Sequence, residues 1–214
     1  MRTVDLIVFD LDGTLIASGG DLAQSVNYTL ETLGMEMLKE DIIIGYVGDG
    51  VKKLIERSIG ADNMDRYETA LATFWDYYGE HLLDTTILYD GVVDVLDYFR
   101  DKRKAVITNK MHEFTLTIVK RLGIAHYFDS IIGMDHSPYQ KPDPRIMIPL
   151  LDEYGISSDR SVVVGDGVSD ILLAQNIKAV SCAHVNGLGA REKLLSLKPD
   201  IIYENIKELC EYFS

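Results

Sequence analysis

Apolar residues in this chain gather into short, near-continuous runs, and the segments between them carry apolar positions at helical spacing. Four runs rich in β-branched residues stand out: Val4 to Phe9, Ala105 to Thr108, Ser161 to Gly165 and Ala179 to Ala183. A strand that is apolar at successive rather than alternate positions is covered on both faces, which is the situation of a parallel strand under helices. Asp10, Asn109 and Asp166 directly follow the first three runs, and Asn186-Gly187 lies shortly beyond the fourth, as strands ending in turns require. Weaker strands are expected at Ser130 to Gly133 and Ile201 to Tyr203, with helices at Val92 to Arg100, Phe114 to Leu122, Ile146 to Tyr154 and Ile171 to Asn176. This alternation predicts an α/β fold built on a doubly wound parallel sheet.

The alternation breaks once. From Ile16 to Thr85 the patterning is helical and no convincing strand occurs, which predicts an inserted helical domain at 16–85 and a core domain formed by 1–15 and 86–214. Helices are expected at Leu22 to Leu33, Val51 to Ser58 and Met64 to Leu83, broken at Gly34, Gly60 and the Gly45 to Gly50 region. The last of them carries Phe74, Trp75, Tyr77 and Tyr78, read first as core packing and second as a substrate wall.

Net charge changes what the chain can bind. At -13 the surface is a poor match for nucleic acid or an anionic membrane, so any phosphate must meet a local pocket of positive charge. The apolar start is too short, and too soon interrupted by Asp5 and Asp10, for a signal peptide or membrane span, which gives a cytoplasmic expectation. Cys182 and Cys210 lack metal-type spacing and read as two reduced thiols.

Four segments carry candidate chemistry. Asp10-Leu11-Asp12-Gly13-Thr14 directly follows the first apolar run, where ligands bind beyond the carboxyl ends of parallel strands. Alternation lets Asp10 and Asp12 face one side while Leu11 enters the core. Val163-Val164-Gly165-Asp166-Gly167-Val168-Ser169-Asp170 repeats the arrangement, with its two acids four residues apart at a helix start. Asp170 is equally well placed to cap that helix. Val106-Ile107-Thr108-Asn109-Lys110 ends a strand in a hydroxyl and an amide, suited to phosphoryl oxygens or to capping. Gln140-Lys141-Pro142-Asp143-Pro144 mounts one lysine between stiffening prolines. Four carboxylates in one cleft would repel each other by several kcal/mol, which a hard divalent cation relieves. An all-oxygen donor set points to Mg²⁺, with Asp10 and Asp166 as direct ligands and Asp170 behind them.

In this order the four segments resemble the signature motifs of the haloacid dehalogenase superfamily, and the likeness reaches both ends of the chain. The resemblance implies that Asp10 is a nucleophile forming an aspartyl-phosphate and Asp12 the acid/base. It also implies that Thr108 and Lys141, with backbone N–H groups after Asp10 and Thr108 (those of Leu11 and Asn109), hold the phosphoryl group. Mg²⁺ would sit on Asp10, Asp166 and the Asp12 carbonyl, with Asp170 in support. The insert resembles the helical cap that follows the first motif in one subclass. Asp21-Leu22, Asn27, Leu33-Gly34, Val47-Gly48-Asp49-Gly50-Val51, Thr108-Asn109-Lys110 and Lys141-Pro142-Asp143-Pro144 are similar to phosphoglycolate phosphatases. Ala17, Met111 and Gly167 depart from that pattern without removing a catalytic group.

The expected partner is a small phosphorylated metabolite, handled by a monomer or homodimer. Pyrophosphatase, β-phosphoglucomutase and phosphonoacetaldehyde hydrolase types are the rival enzymes, the last requiring a cap lysine such as Lys52 or Lys53. Both lysines read more simply as a solvated helix face. A receiver-like module or a silent phosphate-binding relative is the non-enzyme rival. The large insert after the first strand argues against a receiver.

Overall fold

The computed structural model describes residues 1–214. Its centre is a six-stranded sheet in the order β5-β4-β1-β6-β7-β8, in which every neighbouring pair is parallel. The strands are β1 (Leu6–Phe9), β4 (Arg103–Ile107), β5 (Ser130–Ile132), β6 (Ser161–Gly165), β7 (Val180–His184) and β8 (Ile201–Tyr203). All residues of β1, β6 and β7 are buried, as their unalternating runs require. Chain order runs outward from β1 through β4 to β5, then returns to β6 on the other side. The sheet therefore changes direction around β1, and a crevice opens beyond the carboxyl ends of β4, β1 and β6.

Helices α5 (Val92–Tyr98), α6 (His112–Arg121), α7 (Ile148–Tyr154), α8 (Val168–Ile177), α9 (Arg191–Ser196) and α10 (Leu209–Tyr212) accompany the sheet. Apolar clusters cover both of its faces. One joins Ile7, Phe9, Val106, Val162 and Val164 to Val95, Phe99, Ile118 and Val119, and the other joins Leu6, Val8 and Val163 to Met147, Leu150 and Leu173. The fold is α/β, a doubly wound parallel sheet carrying an inserted helical cap.

The cap comprises α1 (Gly19–Thr32), α2 (Glu40–Ile44), α3 (Val51–Ile59) and α4 (Tyr67–Glu80). Two differences from the sequence expectation lie at its borders. A two-stranded antiparallel ribbon, β2 (Ile16–Ala17) with β3 (Ile87–Leu88), joins the outgoing and returning chain, and β2 falls inside the stretch read as strandless. Two residues are too few to show periodicity. The helix expected from Met64 begins at Tyr67, because a 3₁₀ segment at Ala61–Arg66 precedes it and Asn63 leaves helical geometry.

Asp21 ties the two crossings together. Its carboxylate is 1% exposed and accepts four hydrogen bonds, from Thr85 N (2.9 Å), Thr85 Oγ1 (2.5 Å), Thr86 N (3.0 Å) and Thr86 Oγ1 (2.6 Å). Burial alone would raise its pKa, yet the four donors favour the charged form and bring it below the ordinary value.

Candidate active site

The turn after β1 brings Asp10 and Asp12 to the crevice while Leu11, 0% exposed, anchors the loop in the core. Gly13 takes φ +80°, and a Cβ there would lie 2.1 Å from Asp166 Oδ2, so glycine is required on two counts. Thr14 Oγ1 donates to Asp166 Oδ1 at 3.1 Å and links this turn to the one after β6. His184 Nδ1 is 2.8 Å from the Gly13 carbonyl oxygen, and burial lowers that imidazole's pKa, which keeps the ring neutral. A neutral ring protonated on Nδ1 donates to that carbonyl.

Three carboxylates meet here. Oxygen atoms of Asp10, Asp166 and Asp170 all lie within 4.8 Å of one another. Lys141 enters between two of them: its Nζ is 2.6 Å from Asp170 Oδ1 and 2.7 Å from Asp10 Oδ1, with a side chain 2% exposed. The contact to Asp10 is off the hydrogen-bonding direction, and Asp10 Oδ1 is left buried with no hydrogen bond. The Gly167 N–H donates to Asp170 Oδ2 at 2.9 Å, and Cβ atoms on Gly165 or Gly167 would crowd that carboxylate. Asp166 Oδ2 accepts from the N–H groups of Leu188 (2.7 Å) and Gly189 (2.9 Å).

Burial raises the pKa of Asp166, and the charges of Asp10 and Asp170 raise it further. Burial and Asp10 likewise raise that of Asp170, partly offset by Lys141. Lys141 is held protonated despite its burial by Asp10 and Asp170. Hard oxygen donors and their mutual repulsion together fit a small divalent cation.

Asp12 stands apart from the cluster. Its Oδ1 accepts from Ser18 Oγ at 2.6 Å, and both its oxygens lie 2.9 Å from Lys110 Nζ. Thr108, 3% exposed, lines the same cleft, with Oγ1 accepting from the Lys110 N–H at 3.2 Å and its own hydrogen free to donate. Asn109 also lines the cleft, but its Nδ2 points to Gly48 O (3.3 Å) and Lys141 O (3.4 Å), tying a cap loop to the lysine loop. Thus Asp10, Asp12, Thr108, Asn109, Lys141 and Asp166 share one cleft, and Asp170 sits directly beneath it.

The cleft lies between core and cap. Phe74, Trp75 and Tyr78 of α4 line it, while Tyr77 stacks on Tyr28 (3.9 Å between centroids), so the aromatic group divides between wall and packing. Lys52 and Lys53 are exposed and outside the cleft, and Lys53 pairs with Glu56 at 2.7 Å. Ser18, His184 and the Leu188–Gly189 donors were not singled out from sequence as site groups. The only linear signal for the last is the run Asn186-Gly187-Leu188-Gly189. Cys182 and Cys210 are both free, and no helix is long and apolar enough to cross a membrane.

Comparison with known proteins agrees with the fold. A phosphoglycolate phosphatase of Neisseria meningitidis is 33% identical over 97% of this chain and 93% of its own length, and one of Vibrio cholerae is 30% identical over 99% and 97%. The crystal structure of a predicted phosphoglycolate phosphatase from Haemophilus somnus 129PT superposes with a TM-score of 0.93 at 27% identity, covering 99% of both chains. Residues 7–184 match the family model of haloacid dehalogenase-like hydrolases, and with the acid turns, the buried lysine and the inserted cap in place, the chain belongs to that family.

Proposed function

We propose that this protein is a Mg²⁺-dependent phosphatase of small phosphomonoesters, of phosphoglycolate phosphatase type, working through an aspartyl-phosphate on Asp10. The observation that carries the reading is Lys141 fixed between Asp10 and Asp170 beside Asp166, at the carboxyl ends of β1 and β6. Positive charge and in-line positioning around the phosphoryl oxygens are what phosphoryl transfer demands.

Asp10 supplies the attacking carboxylate oxygen: its bond to phosphorus forms as the bond to the ester oxygen breaks. The leaving oxygen takes a proton from Asp12, which then accepts one from the water that cleaves the acyl phosphate. Ser18 and Lys110 hold the Asp12 carboxylate, the form that accepts the proton from water after the acid form has given its own to the leaving oxygen. Lys141, the Thr108 hydroxyl and the N–H groups of Leu11 and Asn109, which donate to no other group in the fold, receive the phosphoryl oxygens. Asp10, Asp166 and the Asp12 carbonyl would hold Mg²⁺, with Asp170 steadying Lys141 behind them. The ion would supply charge neutralisation and alignment of the phosphoryl group. Residues 1–15 and 86–214 form the catalytic unit and 16–85 the cap that keeps water from the cleft before the acyl phosphate forms. Two free cysteines support a reducing, cytoplasmic setting.

The test is phosphate release from a panel of phosphomonoesters that includes 2-phosphoglycolate, with Mg²⁺ and with EDTA. We expect turnover that chelation stops and Mg²⁺ restores, a hydroxylamine-labile phosphoryl group at Asp10, and no turnover by a folded Asp10→Asn variant. Retained hydrolysis by Asp10→Asn would rule the assignment out.

A further inference from the structure

Beyond the phosphoryl site the cleft runs under α4, along an apolar wall of Leu22, Leu54, Phe74 and Phe114. Two polar atoms interrupt it. Trp75 Nε1 and Tyr78 Oη are both shielded from solvent without a well-directed hydrogen bond, and the one polar group beside the phenol is the Lys110 ammonium. Tyr78 as a whole is only 2% exposed. Buried polar atoms are almost always hydrogen-bonded, so two orphans on one wall call for a ligand. They are three residues apart on one helix and therefore neighbours on its surface. Packing does not account for the phenol oxygen, since phenylalanine at position 78 would fill the same space with no stranded hydroxyl. Beside them stands Lys110, whose Nζ lies 4.8 Å from the centre of the Tyr78 ring and bonds both Asp12 oxygens. That ammonium bridges the distance from the proposed acid/base to the α4 wall.

Resting on the phosphomonoester reading above, we infer that Trp75 and Tyr78 are specificity-determining residues: their N–H and O–H receive the carboxylate at the far end of a short-tailed substrate. The indole N–H can only donate and the phenol O–H can donate, so a tail that brings two acceptor oxygens satisfies both. A carboxylate brings two, one for each donor, beside the Lys110–Asp12 ion pair. The other orphan of the cleft, the acceptor Asn109 Oδ1, belongs to the Gly48 and Lys141 side rather than to the α4 wall. The tail is short because the cap already touches the core at Asn109 and Gly48.

The experiment compares 2-phosphoglycolate with isobutyl phosphate, in which two methyl groups replace the two carboxylate oxygens. Steady-state kinetics are run on wild type, Tyr78→Phe and Trp75→Phe, each checked for an unchanged melting temperature. We expect kcat/KM for 2-phosphoglycolate to fall at least about tenfold in each variant, about 1.4 kcal/mol, mostly through KM. For isobutyl phosphate the change should stay below about twofold by the same free-energy scale. Parallel losses on both substrates, or none on 2-phosphoglycolate, overturn the inference. So does a wild-type enzyme that handles both substrates equally well, and that result leaves the phosphatase assignment standing. Failure of wild type on every phosphomonoester, p-nitrophenyl phosphate included, defeats the assignment itself and this inference with it. Tyr78→Phe removes a single oxygen, so it carries the test alone should Trp75→Phe misfold.

Discussion

Replacing Asp21 by asparagine tests the link that holds cap and core crossings together. The carboxylate serves four donors at once, and the substitution removes its charge and one acceptor oxygen. Thr85 is exposed and can turn to water, whereas Thr86 is 4% exposed and cannot. The new side chain will therefore turn its remaining oxygen to Thr86 and its amide to Thr85. Bonds to a charged acceptor contribute about 1.5–3 kcal/mol and neutral ones about 0.5–1.5, so weakening the Thr86 pair costs about 2 kcal/mol. Losing the solvent-replaceable Thr85 pair adds about 0.5 kcal/mol, which makes the expected total about 2–3 kcal/mol.

Urea unfolding at pH 7, followed by circular dichroism, measures this loss. Thr86→Val should cost about 1–2 kcal/mol and Thr85→Val under about 0.5, since only the buried partner is left without water. The acid limb gives an independent check. Asp21 has a folded-state pKa below its ordinary value of 3.8, so its contribution is complete above that pH and disappears as pH falls through the lower, folded value. The gap between wild type and Asp21→Asn should therefore close below about pH 4. A variant within about 0.5 kcal/mol of wild type, a costlier Thr85→Val than Thr86→Val, or a gap undiminished in acid refutes the reasoning.

Three further outcomes follow from the site. Gly13→Ala should abolish turnover and lower stability by about 1–3 kcal/mol, seen in phosphate release and urea melts, because its Cβ meets Asp166 and φ is +80°. Lys141→Met should lower metal-free stability by about 3 kcal/mol, since it leaves Asp10 and Asp170 facing each other unpaired; an unchanged urea midpoint contradicts this. Added Mg²⁺ should raise the wild-type melting temperature in a concentration-dependent way, and Asp166→Asn should blunt the rise; calorimetry with no shift speaks against the proposed ion site.

The sheet was legible because burial on both faces writes itself into continuous apolar runs. Ser161 to Gly165 and Ile201 to Tyr203 match their strands residue for residue, and the other runs differ at their ends. Short elements escaped: Glu40–Ile44 and Leu209–Tyr212 are too brief for a helical period, and the ribbon at Ile16–Ala17 has no pattern to offer. At the site, Asp10 and Asp166 could be singled out because each ends an apolar run beside glycine-rich turns. What stayed hidden was contact rather than identity. Backbone donors such as Leu188 N carry no residue signature, and the bond from Lys110 to Asp12 spans a sequence separation of 98 that no local rule connects. Lys110 belongs to a segment whose sequence suits phosphoryl oxygens or capping, and only the folded cleft shows the lysine itself as a buried cation.

A chain of net charge -13 has to admit a dianionic phosphoryl group, and its surface does not help. Beyond a screening length of about 8 Å at physiological salt the outer acids matter little, so the decision falls to the cleft. There Asp10, Asp12, Asp166 and Asp170 outnumber Lys110 and Lys141, and burial and mutual repulsion already raise the pKa values of Asp166 and Asp170 before any phosphate arrives. Both ammonium groups are already committed to carboxylates, with side chains 6% and 2% exposed, so neither can attract an anion from a distance. One divalent cation relieves that repulsion and lets the clustered carboxyls ionise, which no rearrangement of the two lysines can do. The charge balance of the site, independently of any likeness to relatives, thus favours a metal that is in place before the phosphomonoester enters.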